Sequence, residues 1–186
     1  KKHVQAEIRA LQELLLQKKG VKKHTFNGWN RSSEVLLLTI PAFRDALAEE
    51  VTGKKKVLKS GVRTIVPDFE TVMKIRTIQE LLFVIHTQTE GNVLSADPET
   101  LAAQLAESDL MQILAETHKG DVPFCFRIGV SGAMSLEERS IFSKRVATAI
   151  EGAFERNLIN STSHYEVELR LLQHREGGFV PLLKLY

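Results

Sequence analysis

The side chains most often recruited for nucleophilic or metal chemistry are few in this 186-residue chain: one cysteine, Cys125, and six histidines, His3, His24, His86, His118, His164 and His174. No histidine stands at a helical or knuckle spacing from another His, Cys or carboxylate that would ligate a metal, and a lone cysteine excludes both a paired-cysteine zinc site and an internal disulfide framework. Cys125 falls on a predicted strand, opposite the Phe124/Phe126 face. A thiol nucleophile needs a neighbouring base and a lowered pKa, and the sequence supplies neither. Ser131-Gly132 and Ser135 form no nucleophile elbow. The five prolines, at 41, 67, 98, 123 and 181, are never adjacent. The chain therefore lacks the Asn/Asp-Pro-Pro-aromatic motif with which amino-methyltransferases hold a target nitrogen. It also lacks a G-x-G-x-x-G or P-loop to cradle a cofactor. We expect no catalysis and no bound cofactor in these residues.

What remains is charge. The net charge is +2, but residues 1–65 carry 14 Lys+Arg against 6 Asp+Glu, and residues 66–186 carry 11 against 17. The excess gathers in Lys18-Lys19, Lys22-Lys23 and Lys54-Lys55-Lys56, with Lys59 and Arg63. Such clusters are either solvated helix ends and loop tips or a field that attracts polyanions over a Debye length of about 8 Å. No apolar run approaches the roughly 18 residues of a membrane span, so no membrane partner is expected. Cysteine usage points to a reducing, cytoplasmic compartment. The chain opens on Lys1 with no signal peptide, and we expect it to be part of something longer.

Charged groups act only where the fold puts them. Val4, Ile8, Leu11 and Leu15 make one stripe of an amphipathic N-terminal helix, stopped near Gly20 and followed by an aperiodic linker over 21–33. From Glu34 the pattern reads strand (Val35–Ile40), helix (Phe43, Leu47, Val51), two strands turning at Ser60-Gly61, helix (Phe69–Gln79) and strand (Leu81–Ile85). That order, β-α-β-β-α-β, is ferredoxin-like. Thr87–Ala96 reads as a joint. Asp97-Pro98-Glu99 starts a helical stretch through Leu101, Leu105, Leu110, Ile113 and Leu114, broken near Ser108-Asp109. Phe124, Phe126, Ile128 and Val130 alternate as a strand, and Ser135-x-x-Glu138 caps a long helix on Ile141, Phe142, Val146, Ile150 and Phe154. Tyr165–Leu171 and Phe179–Leu185 close the chain as strands. This second module is α-α-β-α-β-β. The expected class is α+β, with an N-terminal helix and linker (1–33), a ferredoxin-like domain (34–94) and a second domain (95–186).

Within that second domain, Phe126-Arg127-Ile128, the capped helix with Arg139, Phe142, Lys144 and Arg145, the run Asn160 to Arg170 and the closing Phe179–Tyr186 resemble a THUMP domain. The first module is similar to the ferredoxin-like domain that precedes it in that family. Pro41-Ala42-Phe43-Arg44 stands where the family writes a Pro-Gly-aromatic-Glu turn, and Arg76-Thr77 stands at its Arg-Thr/Ser step. The resemblance covers about residues 34–186 and is closest to bacterial THUMP-containing RNA methyltransferases. It implies a region that binds structured RNA, a tRNA acceptor end or rRNA. The region would present guanosine for N2 methylation to S-adenosylmethionine, held in a C-terminal domain that follows Tyr186.

Residues 95–186 carry 9 Lys+Arg against 13 Asp+Glu, so RNA binding there must use a local cluster, because phosphate contacts supply most nonspecific affinity. Arg139, Lys144 and Arg145 on the long helix are candidates, although Arg139 and Lys144 lie about 140° apart around it, and Arg127 is expected to join them. Lys54, Lys55, Lys56, Lys59 and Arg63 form the second candidate group, a hairpin reaching toward RNA read by shape and phosphate. The bland reading of the helix cations is salt bridging to Glu137, Glu138 and Glu151. The alternative function is a protein–protein or regulatory module, its stripe Val4/Ile8/Leu11/Leu15 docking another domain or a second copy of the chain.

Overall fold

A computed structural model describes residues 24–186 and, before them, His3, Val4, Glu7, Ala10 and Leu11, which are helical. The remainder of the expected N-terminal helix, Ile8 and Leu15 included, lies outside the described residues.

Strand β1 (Thr25–Phe26) comes first, then β2 (Ser33–Leu38), a 3-10 turn at Pro41–Phe43, α1 (Arg44–Glu50), the hairpin β3 (Lys55–Leu58) and β4 (Gly61–Val66), α2 (Phe69–Met73) and β5 (Glu80–Val84). The second half runs α3 (Pro98–Ala106), α4 (Leu110–Thr117), β6 (His118–Lys119), β7 (Phe124–Ser131), α5 (Leu136–Ala153), β8 (Leu158–Asn160), β9 (Val167–Gln173) and β10 (Phe179–Leu185). Helix starts follow local chemistry. Asp68, Asp97 and Ser135 each accept a backbone N–H at the N-terminus of α2, α3 and α5, and Glu138 completes the capping box on α5.

One eight-stranded sheet, in the order β3-β4-β2-β5-β10-β9-β7-β8, runs through both halves. All its neighbours are antiparallel except β7 with β8 and β9. The last strand joins the halves, setting Leu182 and Leu183 of β10 opposite Val84 and Phe83 of β5. Gly178 admits β10 there: its φ is +74°, and a Cβ would lie 2.2 Å from the Leu94 carbonyl oxygen. Alternation decides the faces. Val35, Leu37, Phe83, Phe126, Leu169 and Leu183 bury against the helices in one core, while Leu36, Leu82 and Leu182 form a smaller cluster on the opposite face.

Three sequence expectations change. Residues 21–33 are not all linker, because Thr25 and Phe26 pair with Lys119 and His118 as β1 and β6, and Trp29 is buried. The short strand β8 also escapes periodicity, being held in place by β7. Phe43, Met73 and Ile141 are 51%, 67% and 55% exposed: Phe43 lies in the 3-10 turn ahead of α1, Met73 ends a five-residue helix, and Ile141 is turned off the Val146/Ile150 face.

Candidate nucleic-acid interface

Strand directions sort the surface into two rims. Because β3, β2 and β10 run opposite to β4, β5, β9 and β7, one rim collects the β3–β4 turn with Lys59, the end of β2, the start of β5, the end of β10 with Tyr186, and the starts of β9, β7 and β8. Exposed Lys59, Arg76, Lys119 and Arg156 belong to it. Gln79 donates its backbone N–H to Leu38 and Phe124 donates to Asn157, which ties the loops carrying Arg76 and Arg156 to this rim. The opposite rim has Glu34, His86, Asp109 and Glu116 around a cavity of about 280 Å³. Burial raises the Asp109 carboxyl against hydrogen bonding from His86.

The sequence candidates divide by what holds them. Lys55 is committed to the fold: its Nζ donates to the Ala48 carbonyl and to that of Val51 at 2.6 Å, closing the C-terminal end of α1. Lys54, just before the edge strand β3, and Lys56 on it are both exposed, and lysine on an edge also blocks edge-to-edge pairing. Arg63, cross-strand from Lys56 and Leu36, donates from Nε to Glu34 at 2.7 Å. Arg139 donates to the Met134 carbonyl at 2.9 Å, and its Nε is buried without a partner. Arg145 pairs at 3.3 Å with Glu99 of α3 rather than with an acid of its own helix. Glu138 serves the cap, and Glu151 accepts the Asn160 backbone N–H. Lys144 is exposed.

Arg127 does not join the helix cations. Phe126 and Ile128 point to the core that α5 covers, so Arg127 between them lies on the other side of the sheet. There it is the centre of a network. Its guanidinium carbon sits 4.0 Å from the Tyr165 ring centroid and 5.3 Å from that of Tyr186, while Nη1 and Nη2 donate to their hydroxyls at 2.5 and 2.8 Å. Its Nε donates to Glu168 at 2.6 Å. Arg170 shares Glu168 and grips Glu80 with two bonds of 2.7 and 2.9 Å; Lys184 donates to Glu80 at 2.6 Å. Hydrogen bonds from Arg170, opposed by burial and helped by Lys184, hold the Glu80 carboxyl at about 2. Burial pushes Glu168 up, but Arg170 and Arg127 outweigh it and keep it below the ordinary range. Three cations against two carboxylates leave the group one positive charge in surplus beside two tyrosines.

The sequence reading missed Arg170, Lys184, Tyr165 and Tyr186 as site residues, and it missed Arg76, Lys119 and Arg156. For the network a signal existed, since Glu168 and Arg170 alternate on one strand and Lys184 on the next. For the rim there was none, because it depends on strand direction. Cys125 is fully buried, and burial together with the Glu166 charge pushes its thiol up to about 11, away from the thiolate that a nucleophile requires. Among the described residues no group of three or more His, Cys, Asp or Glu is placed to hold a metal, and no helix is long and apolar enough to cross a membrane.

His24 shows how the rim is anchored. Its ring stacks on Phe124 at 3.7 Å, Nδ1 faces the Glu166 carboxylate at 2.9 Å and Nε2 faces the Asp121 carbonyl at 2.8 Å. Both ring nitrogens face oxygen atoms, which fixes the ring between Glu166 and Asp121.

No family model and no curated protein sequence matches the chain. Solved structures do. TrmN from Thermus thermophilus superimposes with a TM-score of 0.52 at 18% identity, over 81% of this chain and 45% of that one. A 4-thiouridine synthetase in complex with RNA and bound ATP gives 0.53 at 17%, over 82% and 42%. A protein described as a predicted N6-adenine-specific DNA methylase, from Listeria monocytogenes, gives 0.54 at 12%, over 83% and 40%. The chain shares the fold of part of each. It spans less than half the length of any of the three, so the likeness is to a segment of each.

Proposed function

We propose that this chain is the RNA-holding region of an S-adenosylmethionine-dependent RNA methyltransferase, with methyl transfer carried out by a domain outside these residues. One observation carries the reading: the same fold occurs in a protein described as a predicted DNA methylase and in a thiouridine synthetase solved on RNA with ATP. Methylation and ATP-dependent thiolation need different catalytic centres, so what such enzymes share is suited to gripping substrate rather than to either reaction. The THUMP resemblance of residues 95–186 and the ferredoxin-like resemblance of residues 34–94 support the same conclusion. Structured RNA, a tRNA acceptor end or rRNA, is the proposed partner. The rim with Lys59, Arg76, Lys119 and Arg156, flanked by Arg127 and the two tyrosines, is its proposed seat. Phosphates would meet the lysines and arginines, and an unpaired end would lie near the tyrosines.

The adenosyl cofactor is assigned, within this proposal, to the domain outside these residues. The 280 Å³ cavity at the opposite rim is smaller than usual ligand pockets and lined by Glu34, Asp109 and Glu116, so it does not fit that group.

Fluorescence anisotropy with tRNA at several salt concentrations tests the reading, with duplex DNA as competitor. The expected result is binding whose affinity falls steeply with salt, each neutralised phosphate adding about 0.7–0.9 to the log–log slope, and which duplex DNA displaces poorly. Absence of binding at low salt, or indifference to salt, would overturn it. A second reading, docking to another protein or a second copy, is favoured by Val4 and Leu11, helical and 57% and 59% exposed. Sedimentation distinguishes it: a dimer lost on Leu11→Asp supports it, and an unchanged monomer removes it.

A further inference from the structure

Four apolar residues in succession stand uncovered on the basic rim. Ile40, Pro41, Ala42 and Phe43 are all exposed, Ile40 by 40% and Phe43 by 51%, and the 3-10 turn over Pro41–Phe43 buries none of its residues. Single exposed aliphatic side chains are ordinary on folded proteins, but three or four in a row are left bare where something uses them. Phe43 also differs from the other phenylalanines. Of the nine, six pair with another ring, and Phe126 and Phe154 are 0% and 6% exposed. Among the described residues Phe43 has neither a ring partner nor burial.

The fold sets this run between two cations. On one side, Thr39 donates its backbone N–H to Ser60 at 3.0 Å, which joins the run to the turn carrying Lys59. On the other, Gln79 donates to Leu38 at 2.9 Å, which joins it to the loop carrying Arg76. The sides are opposite because β2 lies between β4 and β5. Lys59 is exposed and makes no ion pair among the described residues. Arg76 is exposed on a fixed loop, since its backbone N–H and that of Thr77 donate to Glu50 at 3.0 and 3.1 Å. Phe43 donates its own N–H to the Ile40 carbonyl at 2.9 Å, so the ring is carried on a closed turn, about 6 Å beyond Ile40. Arg44 is paired with Asp45 at 2.8 Å and adds little free charge.

We propose that Phe43 is a base-stacking platform: its exposed ring takes the face of an unpaired or everted nucleobase of the bound RNA, while Lys59 and Arg76 hold phosphates on its two flanks. The contact rests on the RNA-holding reading and adds to it a base contact in the first half of the sheet, away from Tyr165 and Tyr186. Charge complementarity selects the occupant. A surface that is apolar in the middle and cationic on both flanks matches a nucleotide strand, whose flat bases are set between phosphates. Every base has such a face, so the platform tolerates any sequence but requires a nucleotide out of its stack.

The test is tRNA binding by the full chain, followed by fluorescence anisotropy at several salt concentrations, with circular dichroism confirming that each variant folds. Phe43→Ala is expected to weaken binding about tenfold with an unchanged salt slope, because stacking releases no counterions. Phe43→Tyr is expected to bind as wild type. Phe43→Leu, which keeps apolar area but offers no ring face, is expected to behave as Phe43→Ala. Lys59→Gln is expected to lower the slope by about 0.7–0.9. Ile65→Ala, which truncates a 64% exposed side chain at the far end of β4, is expected to change nothing. Wild-type affinity in folded Phe43→Ala would overturn the platform and leave the RNA reading standing, whereas a wild-type chain that binds no tRNA would overturn both. Full binding by Phe43→Leu would show plain apolar contact and overturn stacking. Binding to phosphatidylserine vesicles that Phe43→Ala abolishes, with tRNA binding intact, would assign the run to a lipid surface and overturn the proposal.

Discussion

At the β3–β4 hairpin, Lys54, Lys56 and Lys59 project from a sheet edge with little around them. At the β7–β9–β10 end of the same sheet, Arg127, Arg170 and Lys184 are bound by Glu168, Glu80 and two tyrosines. The two ends lie about 29 Å apart, counted as six strand spacings from β3 to β7. Both are basic in sequence, yet they differ in what their charge is for. The first group is available to a partner at no cost to the fold. The second is structure first, and offers a partner only its surplus charge and its tyrosine edges.

That contrast can be broken at its strongest point by Glu168→Ala. Glu168 is 4% exposed and neutralises both Arg127 and Arg170; removing it leaves two guanidinium groups facing each other without their shared carboxylate. The expected loss is about 3 kcal/mol, read as a lower urea midpoint with unchanged slope. A fall below 1 kcal/mol would mean that the network is as loose as the hairpin.

A smaller effect is expected from pH. The Glu80 carboxyl is held at about 2 by Arg170 and Lys184, against an ordinary value of 4.5. Since the folded value is the lower one, its contribution is fully present above the unfolded value and is lost as pH falls from about 4.5 through about 2. Glu80→Gln is therefore expected to be less stable than wild type at pH 7 and to converge on it in acid. Parallel stability curves would remove this part of the contrast.

The smallest stability effect belongs to the hairpin. Lys56→Glu with Lys59→Glu is expected to shift stability by no more than about 0.5 kcal/mol, as exposed substitutions do. The same pair should weaken tRNA binding several-fold and flatten its salt dependence. Unchanged RNA affinity in this double variant would reassign the lysines to edge protection alone.

Much of the element sequence was legible because local signals are strong. Val35 and Leu37 bury on one side and Leu36 on the other, as alternation requires, and Ser135 and Glu138 form the box their spacing announces. The site was read less well. The pattern places Arg127 with Arg139, Lys144 and Arg145, yet these sit on the far side of the sheet, and Lys55, among the candidate contacts, closes α1. His24, 142 positions from Glu166, gave no sign of its role in an aperiodic stretch.

The sequence by itself determined which segments bury an apolar face, where helices start, and that positive charge is concentrated ahead of residue 66. These follow from hydrophobic period and capping, which act within a few residues of the chain. Only the tertiary structure decided that β10 would join β5, that strand direction would gather Lys59, Arg76, Lys119 and Arg156 on one rim, and that Glu80 and Glu168 would claim Arg127, Arg170 and Lys184. The reason is physical: a charge is spent or free according to which neighbour lies within hydrogen-bonding reach, and that neighbour is chosen by strand pairing across up to a hundred residues.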